Sequence, residues 1–180
     1  MEKSRLALYV AAPDFNLPGV DGKNYSLNAF CEKSVLVIIF SCNHCPYVKA
    51  YEDRMIALQS EFQDKGVTFV AINANETELH PEDTFEKMVI RAGEKKFNFP
   101  YLRDEDQKVA EAYGAQYTPE IFLLDSKRTL QYTGKIDDNW QNPNEVKVRY
   151  LRDAIVATLA GLPMGSPETH AVGCTIKWAK

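Results

Sequence analysis

A chain of 180 residues that is 45% hydrophobic has the size of one domain with a substantial core. Its formal charge of -4 comes from charges of both signs spread along the chain, with no basic run or stripe, so neither nucleic acid nor an anionic membrane is an expected partner. No apolar run approaches the roughly 18 residues that a membrane helix needs. The opening stretch carries only the brief apolar patch Leu6 to Ala12 before Pro13, where a secretory leader would need a longer one. A cytoplasmic chain is expected, and there four cysteines do not make a disulfide scaffold.

Taken in order, Ala12 to Pro18 alternates apolar groups between two prolines and suits an extended edge segment. Val20 to Lys23 reads as a turn and Ser26 to Phe30 as a short, weak helix. Ser34 to Phe40 is a continuous β-branched and aromatic run, the pattern of a central strand covered on both faces. Val48, Tyr51, Met55, Leu58 and Phe62 then step by three and four, which predicts a helix from about Asn43 to Lys65 that Gly66 ends. Val67 to Ile72 is the next strand and completes a βαβ unit.

Pro81, followed by Glu82 and Asp83, opens a second helix reaching Lys95. Phe97 to Leu102 is extended, Asp104 with Gln107 resembles a capping box, and a short helix runs to Gly114. Glu120 to Asp125 and Thr129 to Gly134 flank Ser126 to Arg128 as a β-hairpin. Pro143 to Glu145 starts the last helix, which ends at Gly161, and Leu162 to Lys180 forms a tail. No repeat or internal boundary appears, so one α/β domain spanning 1–180, with 162–180 as its tail, is expected.

The chemistry concentrates at Cys42-Asn43-His44-Cys45-Pro46, between the central strand and the first helix. Two thiols at a helix start can close a disulfide only where the backbone turns, and that turn presents free N–H groups to them. The positive helix end favours thiolate, the form that attacks disulfides, over a free thiol of pKa about 8.5. Cys42, first and more exposed, is therefore the expected nucleophile, and Cys45 resolves the mixed disulfide. His44, between them, is expected to stabilise the Cys42 thiolate; whatever stabilises the reduced form raises the reduction potential, by about 30 mV per 1.4 kcal/mol.

These residues resemble the thioredoxin superfamily, and within it the peroxiredoxin-like (AhpC/TSA-like redoxin) branch. The similarity rests on Ala12-Pro13-Asp14-Phe15, on Phe40 to Val48 around the motif, on Thr118-Pro119, and on Gly173-Cys174-Thr175-Ile176-Lys177-Trp178. The resemblance implies a central mixed sheet flanked by helices, with an N-terminal extension and an inserted helix over Glu82 to Lys95. It also implies a cis Thr118-Pro119 bond beside the dithiol, with the Thr118 backbone free to pair with an extended substrate.

Peroxiredoxins read Pro-x-x-x-Thr/Ser-x-x-Cys. Ending that pattern on Cys42 places Val35 and Ile39 at the key positions, and ending it on Cys45 places Ile38 and Cys42 there. Neither register supplies the proline or the hydroxyl, which disfavours efficient peroxidase activity. Where thioredoxins carry a buried acid, six residues before the first cysteine, this chain has Leu36. Glu120 is either a replacement proton acceptor for Cys45 or an exposed hairpin residue.

The leading expectation is a thiol-disulfide oxidoreductase without cofactor, exchanging with protein or small thiols and an unidentified electron donor. The alternatives are a peroxiredoxin-like thiol peroxidase and a metal or copper module that uses Cys-x-His-Cys; no resident metal is assigned. Cys174 is a candidate third redox thiol if the tail folds back. Cys31 reads as a packed or half-exposed thiol, His80 and His170 as surface residues, and Tyr47, Tyr51 and Phe62 as core-facing.

Overall fold

The structure, a computed structural model, describes residues 4–180. Strands β1 (Leu17–Pro18) and β2 (Asn24–Tyr25) pair antiparallel across a turn. A 3-10 turn, Leu27–Phe30, leads to β3 (Val35–Ser41), every residue of which is buried. Helix α1 (Pro46–Phe62) follows and tightens into a 3-10 turn before Gly66, whose φ of 78° reverses the chain into β4 (Val67–Asn73). A 3-10 turn at Pro81–Asp83 precedes α2 (Phe85–Lys95), and β5 (Tyr101–Arg103) and α3 (Lys108–Tyr113) come next. Then come β6 (Tyr117–Thr118), β7 (Glu120–Leu124), β8 (Leu130–Gly134), α4 (Tyr150–Ala160) and β9 (Cys174–Thr175).

The main sheet has the order β5-β4-β3-β7-β8. β3 runs parallel to β4 and antiparallel to β7, so the sheet is mixed. Successive β3 side chains feed opposite cores. Val35, Val37 and Ile39 pack with Val48, Tyr51 and Met55 of α1, Met88 of α2 and Leu151 and Ile155 of α4, and this layer holds Cys42 and Cys45. Leu36, Ile38 and Phe40 pack with Phe15 and Phe30 of the N-terminal extension, Ala110 and Tyr113 of α3, and Ile176 of the tail. Expected coverage of this strand on both faces is thereby met.

Three expected helix starts move. α1 begins at Pro46 rather than near Asn43, because the residue before a proline is kept out of the helical region: Cys45 is extended, with φ -63° and ψ 125°, and becomes the N-cap. The helix expected from Pro81 is interrupted at Thr84, whose ψ is 155°. The helix expected from Pro143 is a single 3-10 turn there, because Asp138 holds the following segment extended, donating its N–H to the Val148 carbonyl and accepting from the Lys147 N–H. The expected capping box also dissolves. Asp104 accepts from the N–H groups of Val109 and Ala110, whereas the Gln107 amide donates to the carbonyls of Ala74 and Lys177.

Candidate active site

The motif sits where β3 leaves the sheet and α1 begins, on the α1 side of the sheet. Cys42 and Cys45 are both buried, at 2% and 0% exposure, so Cys42 is the more exposed of the pair only by a margin that leaves neither sulfur open to solvent. Cys42 Sγ lies 3.5 Å from the Thr118 hydroxyl, and Cys45 Sγ lies 3.3 Å from the Thr118 carbonyl oxygen. The Thr118-Pro119 bond is cis, in agreement with what the resemblance implies.

Because α1 starts at Pro46, it is Cys45 rather than Cys42 that receives the positive end of the helix. The thiols share a proton unequally. Cys45 is lowered to about 4, first by the hydrogen bond from Cys42, then, against a burial penalty, by Cys174 and by the N–H groups of Val48 and Cys174. The Thr118 carbonyl, itself an acceptor, works against this charge. Cys42 is pushed up beyond the ordinary thiol range by its bond to Cys45, by burial and by the nearby Asp83 anion, while the Thr118 hydroxyl pulls it back.

Asp83 was not singled out from the sequence, where Pro81-Glu82-Asp83 looks like a solvated helix start. It is fully buried. Its carboxylate accepts from the Asn43 N–H at 2.7 Å, from Asn73 Nδ2 at 3.2 Å and from Asn75 Nδ2 at 2.8 Å, and it faces His44 Nδ1 at 2.6 Å. Tyr101 donates its hydroxyl to Asn43 Oδ1 at 2.8 Å. The inserted segment therefore clamps the turn between the two cysteines from the α2 side. His44 also stacks on His80, with centroids 5.5 Å apart and planes 2° from parallel, which places His80 beside the site rather than on an unrelated surface. A surface groove lined by Asn43, His44, Glu82 and Arg91 opens next to the pair.

Glu120 belongs to neither expected environment. β7 alternates, and Glu120 shares a face with Phe122 and Leu124, opposite the thiols. At 1% exposure it accepts from Arg5 Nη2 at 2.5 Å and from the N–H groups of Gln116 and Tyr117. It holds the N-terminal extension and the approach to Thr118 and is not placed to take a proton from Cys45.

Cys174 reaches the dithiol: the tail folds back, β9 pairs antiparallel with β6, and Cys174 Sγ lies 2.8 Å from Cys45 Sγ. Cys31 is exposed. Tyr51 and Phe62 are buried as expected, whereas Tyr47 is half-buried and packs against Trp140 at 4.3 Å. Cys42, His44 and Asp83 bring one ligand atom each to within 4.8 Å of one another. A thiolate, an imidazole and a carboxylate suit a cation such as zinc, but Asp83 already accepts three hydrogen bonds and would have to exchange them.

The chain is 28% identical over 152 residues to the thiol-disulfide oxidoreductase ResA of Geobacillus thermodenitrificans, covering 81% of this chain and 82% of that one. A crystal structure of an uncharacterized conserved protein from Geobacillus kaustophilus matches at TM-score 0.91 and 38% identity, over 99% of this chain and 96% of the other. The fold is that of thioredoxin, shared at TM-score 0.69 and 21% identity with a putative thiol:disulfide interchange protein DsbE from Chlorobium tepidum, over 86% and 99% of the two chains. Residues 9–133 match the model of the AhpC/TSA family, and the chain belongs to that family.

Proposed function

We infer that the chain is a thiol-disulfide oxidoreductase whose redox centre is the Cys42/Cys45 dithiol. The observation that carries this reading is the placement of two buried thiols against the cis Thr118-Pro119 bond at the start of α1. The ResA relatives are named for the same class of reaction. Cys42 attacks the substrate disulfide and passes its proton to the Cys45 thiolate beside it. Cys45 then gives that proton to the departing substrate sulfur and displaces it from Cys42, leaving Cys42–Cys45 oxidised and the substrate reduced. His44, half-buried on the groove side, supports the developing charge on Cys42. Thr118 and Pro119 form the wall against which the substrate sulfur lies, and Cys174 joins as a third redox thiol.

Substrates are protein or small-molecule disulfides, with a separate thiol donor to restore the dithiol. No helix is long and apolar enough to cross a membrane among the described residues; a cytoplasmic setting is read from the sequence, where only two of the four cysteines are closely spaced. All of 1–180 acts as one redoxin domain with 162–180 as its tail. Reduction of insulin by a dithiol donor tests the function: the chain is expected to accelerate it, and Cys42→Ser and Cys45→Ser are expected to abolish the acceleration. No acceleration by the unaltered chain in this or a small-disulfide assay refutes it.

AhpC/TSA membership supports a second reading, a thiol peroxidase with antioxidant activity. Ile39 in place of the hydroxyl residue weakens it, so hydroperoxide consumption is expected to be slow. The proximity of Cys42, His44 and Asp83 supports a third, a metal or copper module, which metal analysis of protein purified under reducing conditions tests.

A further inference from the structure

The tail is seated on the site. Cys174 pairs directly opposite Thr118, and beyond it the Ile176 N–H donates to the Gln116 carbonyl at 2.9 Å. The Lys177 N–H donates to Asn75 Oδ1 at 2.9 Å, the Gln107 amide donates to the Lys177 carbonyl at 2.8 Å, and Ile176 is buried. Gly173 approaches so closely that a Cβ there would meet the Thr118 carbonyl oxygen at 2.1 Å, a distance only glycine allows. The tail thus occupies the backbone edge that the resemblance reserves for an extended substrate. Its sulfur stands within about 0.8 Å of the roughly 2.05 Å of a disulfide bond to Cys45.

We propose that Cys174 is an internal exchange partner of the dithiol: in the oxidised chain its thiolate attacks Cys45 of the Cys42–Cys45 disulfide. The proposal rests on the Cys42–Cys45 exchange described above. The Cys45–Cys174 bond forms, the Cys42–Cys45 bond breaks, and the electron pair leaves on Cys42. One disulfide is lost and one made, so no outside oxidant or reductant takes part, and the proton given up by Cys174 ends on Cys42. Intramolecular placement replaces a bimolecular encounter.

In the reduced chain Cys174 is raised to about 11, first by burial and then by hydrogen bonding and charge at Cys45, with Lys177 opposing. Once Cys45 is bonded in a disulfide it carries no charge, and only the burial penalty still opposes ionisation. Exchange returns Cys42 to the thiol state beside His44 and the Thr118 hydroxyl, free to react with a second disulfide once that proton leaves, while the first oxidising equivalent is held by Cys45 and the tail. An extended polypeptide must displace residues 173–175 to use the Thr118 edge.

The full chain, fully reduced and then treated with one equivalent of glutathione disulfide, is acid-quenched, alkylated and peptide-mapped. A Cys45–Cys174 linkage with Cys42 alkylated is expected beside the Cys42–Cys45 linkage. Gly173→Ala is expected to reduce the share of the first about tenfold by unseating the tail, with Cys42–Cys45 still formed. Cys42–Cys45 alone, with Cys174 alkylated in every molecule of the unaltered chain, overturns the internal exchange and leaves the dithiol reading standing. All three thiols alkylated overturns both. The unaltered chain decides the question even where Gly173→Ala does not fold.

Discussion

Replacing Cys42 by alanine isolates what holds the charge on Cys45. Three things lower the Cys45 thiol: the hydrogen bond from Cys42, the hydrogen bond from the Cys174 side chain, and the backbone N–H groups of Val48, at the start of α1, and of Cys174. The first is the largest. A hydrogen bond to a charged group contributes roughly 1.5–3 kcal/mol, and one pKa unit corresponds to about 1.4 kcal/mol. Cys42→Ala is therefore expected to move Cys45 upward from about 4 by about one to two units. The assay is the ultraviolet thiolate absorbance of the reduced chain against pH, in a Cys31→Ser background that removes the exposed thiol. An unchanged or lowered midpoint refutes the reasoning, because the helix end and Cys174 would then set the charge without Cys42.

The same shifts fix how stability depends on pH. Cys45 is depressed, so its contribution is present above the ordinary thiol value near 9 and lost as pH falls through about 4. Cys42 is raised, so its contribution is present below that value and lost above it. Between about 4 and 9 the folded pair holds one proton and the unfolded pair two, and urea midpoints of the reduced chain are expected to rise with pH across that window, relative to a Cys42→Ala/Cys45→Ala chain; a falling difference contradicts this. Asp83→Ala strands the Asn43 N–H, two amides and His44, and is expected to cost about 3–5 kcal/mol in urea unfolding; a loss under about 1 kcal/mol shows that the clamp is not structural. Thr118→Val keeps the shape but removes the hydroxyl that eases ionisation of Cys42, so alkylation of Cys42 is expected to slow about tenfold, and an equal or faster rate rules out that role.

Local pattern made much of this legible. The unbroken apolar run at Val35 to Phe40 marked a doubly covered strand, the three-four spacing from Val48 to Phe62 marked α1, and Cys-x-x-Cys between them located the site. What stayed hidden depends on pairing at long range. Asp83 follows a proline and a glutamate, as an exposed helix start would, and is buried only because Asn43, Asn73 and Asn75 converge on it. Glu120 keeps step with Phe122 and Leu124 in a strand buried on both faces, a signal that was present, but its partner Arg5 is 115 residues away. The seat of Cys174 is a two-residue ladder held by Gln107 and Asn75, and no periodicity in the tail announces it. The start of α1 was readable from Pro46, and that shift of three residues moves the helix charge from Cys42 to Cys45.

The most direct test of the redox centre is the equilibrium of the full chain, carrying Cys174→Ser so that Cys45 cannot pair with the tail, with a glutathione redox buffer, read as the fraction of alkylatable Cys42 and Cys45. A single two-electron transition that disappears in both Cys42→Ser and Cys45→Ser is expected. Two thiols that remain alkylatable across the whole range, or a transition that survives either substitution, would contradict a Cys42/Cys45 dithiol as the working centre of this chain.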